Sequence, residues 1–499
     1  MSPGRPSIVV SLPARTVADA RREIVRAGAA GAEVAEVRID RWAAGEVDRL
    51  AELFPSPLPL VATLRSRAEG GEGPDDPTGR MRLLQFAAPL PFRYLDVERS
   101  RDFPWAETLV RPGLQELIVS THLPSDAAGS VWGHLVREPA PSGAIVKVVG
   151  AATVGRLLHE ILPALPPPGE RPFVAHTTGP SGPLLRAWSK RLGFPFVYAA
   201  LPETSEGSSP APVEPSQIPV DRLRPFLDAE GTPPIFAVVG HPVAHSRSPS
   251  IFTRWMRDDR RPGLYVALDF ADDREFTDSI PALLEGGLRG LSVTHPFKTV
   301  AAELADEVGP GANACGVANV LTFGPDGASA ENTDLVAIMR RLEELRASEA
   351  WDGTSIGVVG AGGAARATLA AARSLGTTAF VWARRREARE VLEREFGAHG
   401  VESAGSARPT LVVHATTVGR VAGTGARLPD LDWIRAGVHV VDWVYAPDDP
   451  VVRRTAERTH ATYEDGTRLL AYQAAASYGL WWGAEPSAER IAATLESFR

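Results

Sequence analysis

The sequence has a single cysteine, Cys315, among its 499 residues, and it has no long apolar run. One cysteine excludes an intrachain disulfide and a metal site built from clustered cysteines, so packing alone must hold the fold. A transmembrane helix needs about 20 consecutive apolar residues, and no stretch approaches that length. The strand-like SIVVSLPA (7–14) begins almost at the N-terminus and leaves no room for a signal peptide. These features predict a cytoplasmic protein without a metal cofactor.

Blocks of basic residues are also absent, and the formal net charge is −8. This balance argues against a nucleic-acid partner, as the missing apolar runs argue against a membrane, so anionic ligands would depend on individual arginines. The composition, 44% hydrophobic and 23% charged, is typical of a soluble globular protein. The length exceeds what one hydrophobic core usually supports and predicts two or three domains.

Short β-rich runs alternate with helix-like segments through the first 200 residues. Eight such runs predict an α/β fold that begins with a (β/α)₈ TIM barrel. They are SIVVSLPA (7–14), AEVAEVRID (32–40), LPLVATLRS (58–66), FRYLDVERS (92–100), ELIVSTHLP (116–124), GAIVKVVGAA (143–152), RPFVAHTTG (171–179) and PFVYAAL (195–201). Catalytic groups of such barrels lie at the C-terminal ends of the strands. The polar residues at those ends are Glu36, Arg38, Arg65, His122 and Lys147, with Arg186 following the seventh run.

Lys147 is the most informative of these residues, because it stands among apolar strand residues. A charged lysine is costly to bury there, which favours a nucleophilic amine. His122 ends the preceding strand run and would face Lys147 as a proton shuttle. Taken singly, Lys147 could instead be a lysine that extends its charge to water, and His122 a structural residue at a strand end.

The spaced segments EVRID, TLRSRAEGG, SxH and VK, with a Gly-rich turn before Arg186, resemble the class I 3-dehydroquinate dehydratases over residues 1–228. The resemblance implies that Lys147 forms an imine with the substrate ketone and that His122, oriented by Glu69, moves the protons. It also implies five substrate-binding residues, with Arg186 as the carboxylate clamp and Gln217 on a mobile lid: Glu36, Arg38, Arg65, Arg186 and Gln217.

Two segments depart from that family's usual pattern. Leu123 and Pro124 follow the SxH segment where the family usually has Asp-Phe. The lid segment has Val213 and Glu214 where the family usually has small residues, which places a negative charge near an anionic substrate. We therefore expect an altered substrate affinity rather than an altered reaction.

The second half begins after a linker, residues 229–234, and has two lobes. Residues 235–334, completed by helices at about 466–499, are predicted to form a substrate lobe, and residues 335–465 a Rossmann lobe. TSIGVVGAGGAARA (354–367) has the strand, glycine turn and helix of a dinucleotide site, formed by Gly360, Gly362, Gly363 and Ala364. Arg384 and Arg385 follow the next strand, where arginine suits a 2′-phosphate and favours NADP.

Seven segments in the same order resemble the shikimate dehydrogenases over residues 234–495: GHPVAHSRSP, SVTHPFK, ANV, NTD, HATTVG, DWVY and GTRLLAYQ. The resemblance implies Lys298 and Asp334 as the catalytic pair. It implies that Ser246, Ser248, Thr294, Asn319 and Gln473 contact the substrate, and that Thr416 and Gly466 lie at the cofactor. From the residues alone, Ser246 and Ser248 could be turn residues, and Asp334 could be a helix cap.

Departures occur here as well. His295 replaces an aliphatic residue, and Ala383 and His414 replace asparagines that the family commonly has. The resemblance implies an enzyme that converts 3-dehydroquinate to 3-dehydroshikimate and then to shikimate with NADPH. A quinate dehydrogenase and a non-catalytic metabolite sensor of quinate metabolism remain alternatives. Oligomeric state stays open.

Overall fold

A computed structural model describes the chain except for residues 1–3, 107, 110–114, 125–126, 203–212, 403–406, 421–427, 429–431, 446 and 499. The chain divides into two compact units. The first contains Met1–Ile235, Pro242–Ala244 and Arg260–Gly287, and the second contains Phe236–His241, His245–Asp259 and Leu288–Arg499. No helix in the described part of the chain is both long enough and apolar enough to span a bilayer.

Eight strands lie where the sequence predicts them. They are β1 (Ser7–Leu12), β2 (Val34–Arg38), β3 (Leu60–Thr63), β4 (Tyr94–Glu98), β5 (Glu116–His122), β6 (Ile145–Ala151), β7 (Phe173–Thr178) and β8 (Phe196–Ala199). The helices between and after them are α1 (Val17–Ala29), α2 (Ala44–Val47), α3 (Pro77–Ala87), α4 (Phe103–Ala106), α5 (Gly129–Arg137), α6 (Val154–Arg156), α7 (Leu162–Ala164), α8 (Gly182–Ala187) and α9 (Val220–Asp228).

These strands form one sheet in the order β7-β6-β5-β4-β3-β2-β1-β8, with parallel neighbours. The backbone N–H of Tyr198 on β8 donates to the His176 ring on β7, at 3.4 Å, across the remaining gap. The predicted TIM barrel is therefore confirmed as a nearly closed barrel of eight strands.

The alternation of side chains along the strands determines which residues line the barrel interior. Successive side chains point to opposite faces of a strand, so every second residue faces inward. An apolar cluster at the start of the strands comprises Val9, Val34, Val61, Ile118, Ile145, Val174, Phe196 and Tyr198. The inward residues that follow it are polar: Ser11, Glu36, Thr63, Asp96, Ser120, Lys147 and His176. The interior is thus apolar at one end and polar at the C-terminal end.

The next part of the chain contains β9 (Ile235–Gly240), α10 (Ser248–Asp258), β10 (Leu264–Asp269), α11 (Asp273–Glu285), β11 (Leu288–Val293), α12 (Lys298–Glu303), β12 (Glu307–Val308), α13 (Pro310–Cys315), β13 (Val320–Gly324), β14 (Gly327–Glu331) and α14 (Thr333–Ala347). Within the second unit the strands follow the order β9-β11-β13-β14-β12. β13 is antiparallel to β11 and β14. The end of β11 therefore lies beside the start of β13 and the end of β14.

The last part contains β15 (Ser355–Val359), α15 (Gly363–Ser374), β16 (Thr378–Trp382), α16 (Arg386–Phe396), β17 (His399–Gly400), β18 (Leu411–His414), β19 (His439–Asp442), α17 (Val451–Thr459), β20 (Thr462–Glu464), α18 (Thr467–Trp482) and α19 (Ala488–Glu496). Its parallel strands follow the order β17-β16-β15-β18-β19-β20. The chain leaves β15 toward β16 on one side and returns to β18 on the other. Ligands of doubly wound sheets bind in the crevice at this switch point.

The sequence places residues 260–287 in the predicted substrate lobe, and this division of the chain remains a prediction. In the structure this segment belongs to the first compact unit. The Trp188 indole N–H donates to the Gly286 carbonyl oxygen at 2.7 Å. A β-carbon on Gly286 would lie 2.3 Å from the same indole ring, so only glycine fits there.

Candidate active sites

Lys147 is buried on the inward face of β6, with 3% of its surface exposed. Its Nζ donates hydrogen bonds to Asp96 and, at 3.2 Å, to the Tyr198 hydroxyl. Glu36 Oε1 lies 3.9 Å from Nζ. A lysine that simply reaches water would not be enclosed in this way, so the geometry favours a functional amine.

Asp96 and Tyr198 were not predicted as site residues. Burial alone would raise the pKa of Asp96, but Lys147 and Arg65 more than offset it and lower that pKa. Burial raises the pKa of Tyr198, as do the nearby carboxylates, so its hydroxyl stays protonated. A sequence signal existed for Asp96: it interrupts the apolar run of strand FRYLDVE at an inward position.

Arg65 connects the carboxylates at the barrel mouth. Its guanidinium donates to Glu69 Oε2 at 3.0 Å and to the Ser120 hydroxyl at 3.2 Å. It also lies 3.5 Å from Asp96 and 3.4 Å from Glu98. Several partners thus hold the Arg65 guanidinium in one position.

His122 lies at the end of β5 beside Glu69. Glu69 Oε2 accepts the His122 backbone N–H at 2.9 Å and lies 3.3 Å from ring atom Nδ1. That ring nitrogen has no hydrogen-bond partner among the described residues. Burial, followed by repulsion from Arg65 and Lys147, lowers the pKa of His122 well below its usual value. The ring is therefore neutral at neutral pH and can accept a proton. Burial raises the pKa of Glu69.

Glu36 and Arg38 lie on consecutive inward positions of β2. Glu36 accepts hydrogen bonds from Ser11 at 2.6 Å and Thr63 at 2.8 Å. Arg38 pairs in bidentate fashion with Asp40, at 2.8 and 2.7 Å. The structure thus gathers the predicted residues of β2 at the same end of the barrel as Lys147.

Arg186 on α8 is buried, and a carboxylate of the chain already occupies its guanidinium. Its Nη2 donates to Glu214 Oε2 at 3.0 Å, and its Nη1 donates to the Ser216 hydroxyl at 3.2 Å. Burial lowers the pKa of Arg186 to about 10. Gln217 donates to Ser11 at 3.3 Å, which brings residues 213–217, the lid segment, to the barrel mouth. Residues 203–212 of the predicted lid lie outside the described part.

The second lysine centre joins three elements of the second unit. Lys298, at the start of α12, donates to Asp334 Oδ2 in the first turn of α14. Asn319, beside the start of β13, donates to Asp334 Oδ1 at 3.0 Å. Asn332 caps α14, because its side chain accepts the Leu335 N–H. Asp334 is therefore not the helix cap, and its carboxylate is committed to the lysine and the amide.

Thr294 reaches the same edge of the sheet. Its N–H donates to the Val239 carbonyl oxygen at 2.9 Å, and the neighbouring Val293 N–H donates to the Asn319 carbonyl oxygen at 2.7 Å. These bonds hold the ends of β9, β11 and the start of β13 together.

The remaining predicted substrate contacts are held by local hydrogen bonds. Ser246 accepts the Ser248 N–H at 3.3 Å, a turn that leads into α10. Gln473 is largely buried on α18, and its amide donates to the Leu470 carbonyl oxygen at 3.1 Å. These local bonds are compatible with a purely structural role, so the substrate contacts of the three side chains stay predictions.

The glycine turn after β15 is built for close approach. Gly360 has a φ of +132°, and a β-carbon there would lie 2.5 Å from the Ala415 carbonyl oxygen. A β-carbon on Gly363 would lie 2.6 Å from Lys298 Cδ, so the lysine stem packs directly against this turn. Gly362 caps α15 and has open space around its missing side chain. The N-terminus of α15, with Ala364 in its first turn, is thus accessible to an anion.

The other predicted cofactor residues follow the ends of three strands of the same sheet, β16, β18 and β20. Arg384 and Arg385 are exposed after β16, and neither side chain makes a hydrogen bond or ion pair among the described residues. Thr416 follows β18, and its methyl group would lie 3.2 Å from a β-carbon on Gly360. Gly466 is buried against the Trp443 backbone, where a β-carbon would lie 2.3 Å from the carbonyl oxygen. Among the described residues, no group of acidic, histidine or cysteine side chains could hold a metal ion.

Lysine is rare in this chain, and its scarcity is a sequence signal that could have singled out both centres. Only three lysines occur, Lys147, Lys190 and Lys298. Two of the three lie at the two centres described above. A lysine-centred barrel followed by a dinucleotide fold with a lysine–carboxylate pair defines a bifunctional enzyme, a lyase joined to a dehydrogenase.

Comparisons with known proteins agree with this class. The model of the type I 3-dehydroquinase family matches residues 8–233, and that of the shikimate dehydrogenase substrate binding domain matches residues 238–321. A shikimate dehydrogenase (NADP(+)) from Dinoroseobacter shibae is 34% identical over 263 residues, which cover 51% of this chain and 93% of that protein. One from Methylobacterium radiotolerans is 36% identical over 268 residues, with 51% and 93% coverage. The chain belongs to the shikimate dehydrogenase family, with a type I 3-dehydroquinase domain in its first half.

Two solved structures are also similar. Shikimate 5-dehydrogenase from Thermus thermophilus, in complex with NADP(H) and shikimate, is 30% identical with a TM-score of 0.46, covering 53% of this chain and 100% of that one. The dehydroquinate dehydratase and shikimate dehydrogenase from S. pombe is 21% identical with a TM-score of 0.41, covering 99% and 98%.

Proposed function

We propose that the chain catalyses two consecutive reactions: dehydration of 3-dehydroquinate to 3-dehydroshikimate, then NADPH-dependent reduction of that product to shikimate. The observation that carries the proposal is the pair of lysine centres, one inside the barrel beside His122 and one beside Asp334. Each centre has the groups that its reaction requires.

The dehydration begins with attack of the Lys147 amine on the substrate ketone. Loss of water leaves an iminium ion, and the Asp96 carboxylate, which already bonds Nζ, stabilises that positive charge. The neutral His122 ring accepts the proton from C2 and then returns it to the departing hydroxyl. Glu69 binds the His122 backbone N–H and lies 3.3 Å from Nδ1, where it can stabilise the ring when it carries the proton. Hydrolysis of the imine frees Lys147 and the product.

The substrate carboxylate binds Arg186 in this proposal. A planar guanidinium suits a carboxylate, but Glu214 occupies it in the structure. The substrate must therefore displace Glu214.

Replacing Glu214 with glutamine is expected to lower the KM for 3-dehydroquinate about tenfold, with kcat changed much less. The amide keeps the shape of the side chain but removes the charge that competes with the substrate for Arg186. Steady-state dehydration kinetics measure the effect. Glu214→Asp, which keeps the charge, is the matched control, and a rise in KM for Glu214→Gln would show that the carboxylate helps binding instead.

The reduction requires a proton at the substrate carbonyl oxygen. When bound, NADPH supplies the hydride. Lys298 donates the proton to the oxygen that becomes a hydroxyl, and Asp334 keeps the ammonium group oriented. Asn319 holds the second oxygen of Asp334, which fixes the pair.

The residues present fit this cofactor. The open N-terminus of α15 suits a diphosphate, and Gly360 allows its close approach to the turn. Two exposed arginines, Arg384 and Arg385, are available for a 2′-phosphate.

Replacing Arg384 with alanine is expected to raise the KM for NADPH about tenfold and to leave NADH use nearly unchanged. A charge-assisted bond to the 2′-phosphate is lost, and NADH has no such group. The KM values for NADPH and NADH, determined in the same reduction assay, measure this effect. Arg386→Ala is the matched control, because Arg386 pairs with Glu390 at 2.7 Å on the same exposed segment. An equal loss with both cofactors would contradict a phosphate contact.

A coupled assay tests the whole function. The purified chain is given 3-dehydroquinate and NADPH, and absorbance at the NADPH band should fall without any added enzyme. If absorbance falls with 3-dehydroshikimate but not with 3-dehydroquinate, the dehydratase activity proposed for the barrel is refuted and the reductase activity is not. Quinate with NADP distinguishes a quinate dehydrogenase, and binding without turnover of either substrate would indicate a metabolite sensor.

A further inference from the structure

A buried chain of hydrogen bonds connects the ends of two neighbouring strands in the nucleotide fold. His414 is the last residue of β18 and Asp442 the last of β19, and the two are paired in register. Each is 1% exposed. His414 Nδ1 lies 2.8 Å from Asp442 Oδ1, and His414 Nε2 lies 2.6 Å from the Thr416 hydroxyl. Neither His414 nor Asp442 takes part in the two lysine centres.

The partners of Asp442 determine which group donates and which accepts in each of these hydrogen bonds. Oδ1 also accepts the Val444 N–H at 2.9 Å, and Oδ2 accepts the Tyr463 hydroxyl at 3.2 Å. Burial, with the neighbouring Asp442 carboxylate, raises the pKa of Tyr463, so this hydroxyl remains a donor. Asp442 is therefore surrounded by donors and acts as an acceptor only.

A hydrogen bond to an acceptor requires that His414 carry its proton on Nδ1. In the neutral ring the other nitrogen, Nε2, is then an acceptor, and the Thr416 hydroxyl must donate to it. Thr416 Oγ1 in turn accepts the Val418 N–H at 3.1 Å. A hydroxyl oxygen has two lone pairs, so one lone pair of Thr416 remains for a ligand.

We propose that the His414–Asp442 pair is a positioning device that holds Thr416 as a hydrogen-bond acceptor for the cofactor. The matching group must be a donor: a ribose hydroxyl or the carboxamide N–H of the nicotinamide end. A phosphate oxygen has no proton to give and does not match. The identity of the ligand rests on the proposed NADPH-dependent reduction. The directions of the hydrogen bonds among Asp442, His414 and Thr416 do not.

The position of Thr416 supports a role at the cofactor. Its methyl group lies against the glycine turn after β15, 3.2 Å from where a β-carbon of Gly360 would stand. Thr416 thus lies beside the switch point of the sheet, where dinucleotides bind. His414 itself is too deeply buried to touch a ligand and acts only through Thr416.

Nitrogen NMR tests the directions of these hydrogen bonds without any cofactor. The protein labelled with ¹⁵N in histidine should show His414 with a protonated Nδ1 and an unprotonated Nε2 at neutral pH. Its signal is identified among the eleven histidines by its loss in His414→Asn. A proton on Nε2, alone or together with one on Nδ1, would overturn the proposal, whatever the enzyme does with NADPH.

Binding measurements test the consequence. His414→Leu should raise the Kd for NADPH about tenfold in calorimetric titrations, because Nε2 no longer holds the Thr416 proton and the hydroxyl can rotate out of its acceptor orientation. His414→Asn should instead keep the Kd near the wild-type value, since an amide can donate to Asp442 and accept from Thr416. The kcat at saturating NADPH should change little for both variants, which separates positioning from a catalytic role.

A double-mutant cycle shows whether His414 acts through Thr416. Thr416→Val should weaken NADPH binding by the same factor, and adding His414→Leu should then cause no further loss. Additive losses would overturn the proposal. If the wild type does not bind NADPH, the proposed reduction fails, and the NMR result still decides the directions of the hydrogen bonds.

The acetylpyridine analogue of NADP identifies the donor, because it lacks the carboxamide N–H. If the effect of Thr416→Val disappears with the analogue, the donor is the carboxamide. If the effect persists, the donor is a ribose hydroxyl. An unchanged Kd for both cofactors in Thr416→Val would overturn the acceptor role.

Discussion

Replacing Lys147 with methionine is expected to reduce the dehydration of 3-dehydroquinate by at least about 10⁴-fold, because loss of a covalent nucleophile costs on this order or more. Methionine keeps the apolar stem and approximate length of the side chain in its buried position. Asp96 retains hydrogen bonds from Ser120 and Arg65, so the barrel is expected to fold. Normal reduction of 3-dehydroshikimate by the same preparation would confirm that the chain is intact.

Borohydride trapping makes this expectation specific. Reduction in the presence of 3-dehydroquinate should attach the substrate to the peptide that contains Lys147, and Lys147→Met should not be labelled. The scarcity of lysine sharpens the result, since Lys190 and Lys298 are the only other lysines in the sequence. Lys190→Met is the matched control, because Lys190 donates only to the carbonyl oxygens of Leu227 and Ala229 among the described residues. Labelling at Lys190 or Lys298 would contradict the assignment.

Replacing Lys298 with methionine is expected to lower kcat for the reduction by about 10²–10⁴-fold, the usual contribution of a positioned proton donor. KM should change much less, because the interaction with the substrate oxygen strengthens mainly in the transition state. Steady-state rates with 3-dehydroshikimate and NADPH, and with shikimate and NADP, measure the effect in both directions.

Asp334→Asn is the companion variant for Lys298→Met. It keeps a side chain beside Asn319 but removes the charge that orients the ammonium group. A smaller fall in kcat is expected, since the donor itself remains. Near-normal shikimate oxidation by Lys298→Met, or loss of dehydration in that variant, would show that the two lysines do not divide the two reactions.

The strands of the barrel could be predicted from the sequence because apolar runs and their spacing are local properties. The residues near Lys147 could be predicted only in part. Lys147 and Asp96 are 51 residues apart, and their contact depends on the curvature of the barrel across β5. The alternation of FRYLDVE indicates that Asp96 points inward, but it does not indicate which side chain Asp96 meets.

The same limit applies to His414 and Asp442, which lie 28 residues apart. A Rossmann lobe is predicted over this region, but the register of its parallel strands decides whether the two side chains meet, and that register depends on the whole sheet. Glu214 shows a different limit. Its charge is evident in the sequence, yet the occupation of Arg186 by this carboxylate depends on the path of the lid segment.

The contact between Lys298 and Gly363 changes how the glycine turn should be understood. In the G-x-G-x-x-G pattern the third glycine allows close packing of the helix on its strand, but Ala365 stands at that position in this chain, so Gly363 needs another explanation. Here a β-carbon at residue 363 would collide with the methylene stem of Lys298. A Gly363→Ala change would therefore shift the ammonium group as well as the turn. A larger side chain at residue 363 is therefore excluded by the position of the Lys298 stem, and not only by the geometry of the turn.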